Sequence, residues 1–138
     1  MKHFLILLLI VLFSNINAQR TFEFYNNYGI WQSSSNASCG MGNVFCGITK
    51  GLDVNGQLNY QIYFSSNSFF PNCTQARTYI ENIEIFTYDE YIGTWIYPQG
   101  FSVFWMTTGQ STLAYTIYSQ NPSLRIKIKV GRLLPTLY

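Results

Sequence analysis

Between residues 124 and 130 the chain reads LRIKIKV, so that Leu124, Ile126, Ile128 and Val130 alternate with Arg125, Lys127 and Lys129. Successive side chains of an extended strand point to opposite faces, and strict alternation therefore separates an apolar face from a wet one. A helix would spread both sets around its circumference. The same period of two runs through RTFEFY at 20–25, where Phe22 and Phe24 alternate with Thr21 and Glu23. It runs again through QLNYQIYF at 57–64, which sets Leu58, Tyr60, Ile62 and Phe64 against Gln57, Asn59 and Gln61. In TLAYTIYS at 112–119 it turns Leu113, Tyr115 and Ile117 inward.

YIENIEIFTY at 79–88, TWIY at 94–97 and FSVFWM at 101–106 add β-branched and aromatic runs of strand character. Asn55-Gly56 is a hairpin turn signal, and Pro98-Gln99-Gly100, Thr108-Gly109 and Asn121-Pro122-Ser123 break the later runs. SSSNAS at 33–38 and SSNSFFPNCT at 65–74 read as loops. Short strands at this spacing predict an all-β fold, an antiparallel β-sandwich of about 7–9 strands with Ig-like or jelly-roll topology.

The first residues, MKHFLILLLIVLFSNINAQ, join a basic start to an apolar run from Phe4 to Phe13. The run is too short to span a bilayer, and Ala18 offers a small residue at a cleavage point. Residues 1–18 are therefore expected to be a secretory signal peptide, and 19–138 one domain of a secreted, extracellular protein. Losing Lys2 leaves seven of the eight basic side chains against six acidic ones. That balance gives no counterion-release drive toward nucleic acid, and no later apolar stretch predicts membrane insertion.

His3 is the single histidine and leaves with the signal. The mature chain then lacks the base for a Ser-His-Asp or Cys-His nucleophile and the imidazoles of a zinc site, so no cofactor or metal is expected. Asp89 and Glu90 are adjacent and would face opposite ways on a strand, as would Glu81 and Glu84, which gives a hydrolase little to build on. These residues read as surface charge and the protein as a non-enzyme. Asp53-Val54-Asn55-Gly56 has a calcium-loop flavour but lacks the further ligands, and reads as a hairpin turn.

Cys39, Cys46 and Cys73 leave an odd thiol in a disulfide-permissive setting. Gly40 and Gly42 would permit a tight loop closed by Cys39–Cys46, the preferred pair, with Cys46–Cys73 as the rival. The unpaired cysteine could link a partner chain. Asn36-Ala37-Ser38 and Asn72-Cys73-Thr74 are glycosylation acceptors in expected loops.

Rings remain as candidate ligand contacts: Trp31, Trp95, Trp105, Tyr91 and Tyr97. An aromatic side chain offers an apolar face for a sugar, and Tyr and Trp add a polar tip. A small sandwich also needs large rings in its core. If Phe101, Val103 and Trp105 form an inward set, Trp105 is core and Phe104 lies outside. Trp95 and Tyr97, on one face of a short strand beside a Pro-Gly turn, are the better platform. The stripe of Arg125, Lys127 and Lys129 reads as a wet or edge strand guarded by charge, with contact to an acidic polymer as the other reading.

The order NYQIYFSSN (59–67), IENIEIFTYD (80–89), TWIYPQGFSVFW (94–105) and TTGQSTLAYTIYSQNPSLRIKI (107–128) resembles the small β-sandwich carbohydrate-binding modules of the cellulose-binding type. The resemblance covers roughly residues 57–130; SCGMGNVFCG at 38–47 falls outside it. It implies a non-catalytic module for cellulose or a similar β-glucan, with Trp95 and Trp105 in the Trp-bearing segment. The other function expected for such a chain is an extracellular protein-interaction or structural module of a matrix or cell surface.

Overall fold

The computed structural model describes residues 20–35, 41–68, 77–106 and 110–136. The expected signal peptide, Cys39, Cys73, Asn36 and Asn72 lie outside these residues. Eight strands form: β1 (Arg20–Phe24), β2 (Gln32–Ser35), β3 (Met41–Leu52), β4 (Leu58–Ser68), β5 (Arg77–Asp89), β6 (Thr94–Met106), β7 (Thr112–Tyr118) and β8 (Ile126–Thr136). They make two four-stranded antiparallel sheets, β1-β8-β5-β6 and β2-β3-β4-β7. The expected β-sandwich is thus what the chain builds. Its strand order places the meander β2-β3-β4 in one sheet and the hairpin β5-β6 in the other, which differs from the immunoglobulin arrangement.

The inner faces follow the period of two. Phe22 and Phe24 of β1, Ile126, Ile128 and Val130 of β8, and Tyr60, Ile62 and Phe64 of β4 are all buried. Rings close the space between sheets: Phe64 meets Phe104 at 5.8 Å and Phe101 meets Tyr115 at 5.9 Å, centroid to centroid. At the β3-β4 hairpin the Asp53 carboxylate accepts from the backbone N–H groups of Asn55 and Gln57, each at 2.8 Å. Gly56 takes the left-handed φ of 76° that the turn requires.

Several local expectations give way to pairing. SSS at 33–35 is strand rather than loop, because β3 offers it a ladder from Gln32–Cys46 to Ser35–Asn43. The segment 65–68, also expected as loop, continues β4. TWIY and FSVFWM are one strand, not two: Tyr97 and Pro98 together oppose Phe86, a β-bulge that admits a proline without breaking β6. In β7 an extra residue, Ala114, shifts the register between Ile62–Tyr115 and Tyr63–Leu113. Ala114 and Tyr115 consequently pack on the core, while Leu113, expected inside, is exposed.

A further switch lies in β5, where Ile80 and Ile83 are both buried though three residues apart. Asn82 between them adopts a φ of 54°, which side-chain-bearing residues rarely take. On β6 their register partners Phe104 and Phe101 both pack on the core, again three apart. Phe104 is therefore an inward residue, contrary to the strict alternation expected from Phe101; the side chains of Val103 and Trp105 are not among those described.

Cys46 is fully buried with a free thiol, and burial pushes its pKa up. This departs from the expected Cys39–Cys46 bridge. Such a bridge needs Cα atoms within about 7 Å, hence a chain that turns back. Residues 41–46 instead run extended in β3, with Cys46 opposite Phe64.

Tyrosines hold down the segment joining β7 to β8. Tyr60 donates its hydroxyl to the Asn121 carbonyl and accepts from the Leu124 N–H at 3.4 Å, while Tyr28 donates to the Leu124 carbonyl. Burial first, and the adjacent Tyr60 phenol second, push Tyr28 from 10.0 up to about 12. The folded state therefore favours the neutral phenol. Its contribution is whole below about pH 10, where both states are protonated, and is lost as pH rises toward 12. Denaturant midpoints measured across this window should fall, and Tyr28→Phe should flatten that part of the profile.

Candidate functional site: the outer face of the first sheet

With Ile126, Ile128 and Val130 turned to the core, Lys127 and Lys129 face outward from β8, and Arg125 lies just before its first residue. Sheet order puts β8 between β1 and β5, so Lys127 and Lys129 lie mid-sheet. Of the two readings, wet strand or edge strand, the edge one is overturned, because β8 is paired on both sides at Lys127 and Lys129. Register then assigns their neighbours. Lys127 pairs with Glu23 on β1 and Phe86 on β5, and Lys129 pairs with Thr21 and Glu84. Arg125 accepts the Tyr88 N–H at its carbonyl, 3.0 Å away, and Tyr88 pairs with Trp95 on β6.

The outcome is a grid of cations and rings. Tyr88 and Trp95 meet edge to face at 5.2 Å, and Phe86 and Tyr97 at 5.2 Å in a tilted contact across the bulge. The Arg125 guanidinium lies 4.3 Å from the Tyr88 centroid, 5.4 Å from Trp95 and 5.6 Å from Tyr25. The Lys127 ammonium sits 4.0 Å above Trp95, and Lys129 lies 5.2 Å from Phe86. Each is within the roughly 6 Å over which a ring quadrupole attracts a cation. A shallow depression of about 530 Å³ opens at the Arg125 end, lined by Glu23, Phe24, Tyr25, Asn27, Trp95 and Arg125.

Of the five rings singled out from sequence, Trp95 and Tyr97 share this face. Trp95 is half-buried beneath Lys127, whereas Tyr97 is 53% exposed. Tyr91 projects from the β5-β6 turn, almost wholly in solvent. Trp31 lies on the outer face of the other sheet: a methyl added to Gly47 would come within 2.8 Å of its indole, so only glycine admits the ring there. Trp105 falls outside the described side chains. Phe86 and Tyr25 escaped sequence reasoning as site residues; period two placed Phe86 and Tyr88 on one face of β5, but nothing local showed that β8 would lie alongside.

On the second sheet a depression of about 550 Å³ runs from Thr49, Gln61, Thr116 and Tyr118 to the β3-β4 turn, with Lys50 and Asp53 also in its lining. Tyr63 donates to the Gln61 side-chain oxygen at 2.7 Å. The carboxylate Asp89 is committed to its turn, accepting from the N–H groups of Tyr91 at 2.8 Å and Ile92 at 3.2 Å. Among the described residues no group of three or more His, Cys, Asp or Glu gathers in metal-binding geometry.

Comparison with protein-family models, curated proteins and solved structures finds no match for this chain. The resemblance to cellulose-binding modules therefore rests on the quoted motifs alone.

Proposed function

We propose that this protein is a non-catalytic carbohydrate-binding β-sandwich whose glycan lies across the outer face of β1-β8-β5-β6. The observation that carries the reading is the set of outward rings, Tyr88 with Trp95 and Phe86 with Tyr97, laid over neighbouring strands away from the core. An open sheet face suits an extended polymer, and a ring there offers a sugar its apolar side while amides and phenols hydrogen-bond the hydroxyls. The use of Asp89 as a turn cap supports a binding role over a hydrolytic one. Trp95, Tyr97, Tyr25 and Tyr91 are the rings within reach of such a chain.

The test is retention of the purified protein on a panel of insoluble polysaccharides, beginning with cellulose and other β-glucans. Tyr97→Ala and Tyr25→Ala should each weaken retention about tenfold, the worth of one open aromatic contact near 1.4 kcal/mol. Flow-through on every polymer, neutral and charged, would reject the proposal in favour of a protein-interaction module.

A further inference from the structure

We infer that the glycan is anionic, a polymer bearing carboxylate or sulfate groups along its length, held by Arg125 and Lys127 at the depression beside Trp95. This rests on the carbohydrate-binding reading and specifies its ligand class. Three observations carry it. First, Lys127 and Lys129 occupy a central strand and Arg125 leads into it, where edge protection does not explain cations at alternate positions. Positions 125, 127 and 129 share one face, and two residues of strand advance about 6.7 Å, so the charges form a regular line down the sheet.

Second, the rings are occupied. A bare stacking platform for a neutral sugar needs an open ring face, yet the Lys127 ammonium already lies 4.0 Å above Trp95 and Arg125 4.3 Å from Tyr88. The aromatics hold the cations in place and so reduce the side-chain entropy lost when an anion binds. Tyr97 and Tyr25, 53% and 55% exposed, stay open at the flanks for sugar faces.

Third, the carboxylates on the face are unevenly placed. Glu84 is in register with Lys129 and Glu23 with Lys127, whereas Arg125, one residue before β8, packs against the Tyr88 and Tyr25 rings. The 530 Å³ depression opens at the Arg125 end, with Glu23 the one acid in its lining. A guanidinium there presents a planar fork suited to a carboxylate or sulfate, with Asn27 on the rim as a hydrogen-bonding group. A single-stranded nucleic acid would also pair rings with cations. However, three cations beside the carboxylates of Glu23 and Glu84 leave little net charge for the counterion release that drives nucleic-acid binding, which favours a sparsely charged glycan.

The experiment compares two soluble polymers with one backbone, carboxymethylcellulose and hydroxyethylcellulose, by affinity electrophoresis, with oligo-dT as a third probe. Carboxymethylcellulose should bind at least about tenfold tighter, and the advantage should shrink as salt rises, since exposed charge pairs are screened. Arg125→Ala and Lys127→Gln should each remove most of that advantage while leaving the circular dichroism spectrum unchanged. Equal binding of the two glucans, or an advantage insensitive to salt, overturns the anionic assignment but leaves carbohydrate binding standing. Tighter binding of oligo-dT than of either glucan overturns the glycan ligand in favour of nucleic acid. Failure to bind either glucan, together with flow-through on the insoluble panel, removes both readings.

Discussion

Ile128→Ala should destabilise the protein by about 2–5 kcal/mol, the range for emptying a fully buried aliphatic site. Ile128 sits at the centre of the first sheet, in register with Phe22 on one side and Ile85 on the other, and all three are buried. Strands on both flanks and the facing sheet restrict collapse around the missing atoms, which puts the site toward the costly end. Against a total of about 5–15 kcal/mol for a domain, such a loss takes a large share of the stability. Urea unfolding should show a lower midpoint at an unchanged slope. The same strand carries Lys127 and Lys129 on its other face, so the variant should lose ligand retention as it unfolds. Lys127→Gln removes a charge held over Trp95 and should cost only about 0.5–1 kcal/mol. The pair of variants separates the two faces of β8: one packs in the core, the other faces the proposed glycan.

Tyr60 should divide into two effects. Tyr60→Phe keeps the ring but leaves the Asn121 carbonyl and the Leu124 N–H without their partner, a cost of about 1–2 kcal/mol. Tyr60→Ala also empties the core beside Tyr28, whose ring it meets edge-on at 5.1 Å, and should cost about 3–5 kcal/mol. Urea denaturation of both variants gives the split directly. A Tyr60→Phe protein as stable as the parent would mean that the segment 119–125 is held by other contacts, such as Lys50 to the Pro122 carbonyl and the Tyr88 N–H to Arg125. That segment matters to the site, because it delivers Arg125 to Tyr88.

Much of the fold is legible in the residues. In β1 and the first half of β8 the alternation sorts core from surface, because an uninterrupted strand obeys a strict period of two; in β4 it places Tyr60, Ile62 and Phe64 inside, but Asn59, expected on the wet face, is buried as well. The Asn55-Gly56 turn is equally local: a glycine at positive φ and an aspartate side chain folded onto its own backbone. Where the alternation fails, a backbone irregularity intervenes. Ala114 turns Leu113 outward, Asn82 lets Ile80 and Ile83 share a face, and the Tyr97–Pro98 bulge carries β6 through Pro98-Gln99-Gly100, which reads as a break. Such irregularities depend on what the neighbouring strand offers, and no local pattern announces them.

The candidate site divides in the same way. Local sequence placed three cations on one face of a strand and several rings near turns. Which rings meet which cations depends on β8 pairing with β5, whose register partners lie 39 to 59 residues apart in the chain. Sequence by itself therefore determined the class of fold, the two-faced character of its regular strands and the chemistry available on each face. Tertiary structure alone decided that β8 is central, that Trp31 and Trp95 stand on opposite sheets, and that Lys127 rests on Trp95. The physical reason is range: side-chain alternation is set by adjacent peptide units, whereas strand order and register are set by hydrogen bonds and packing between distant segments.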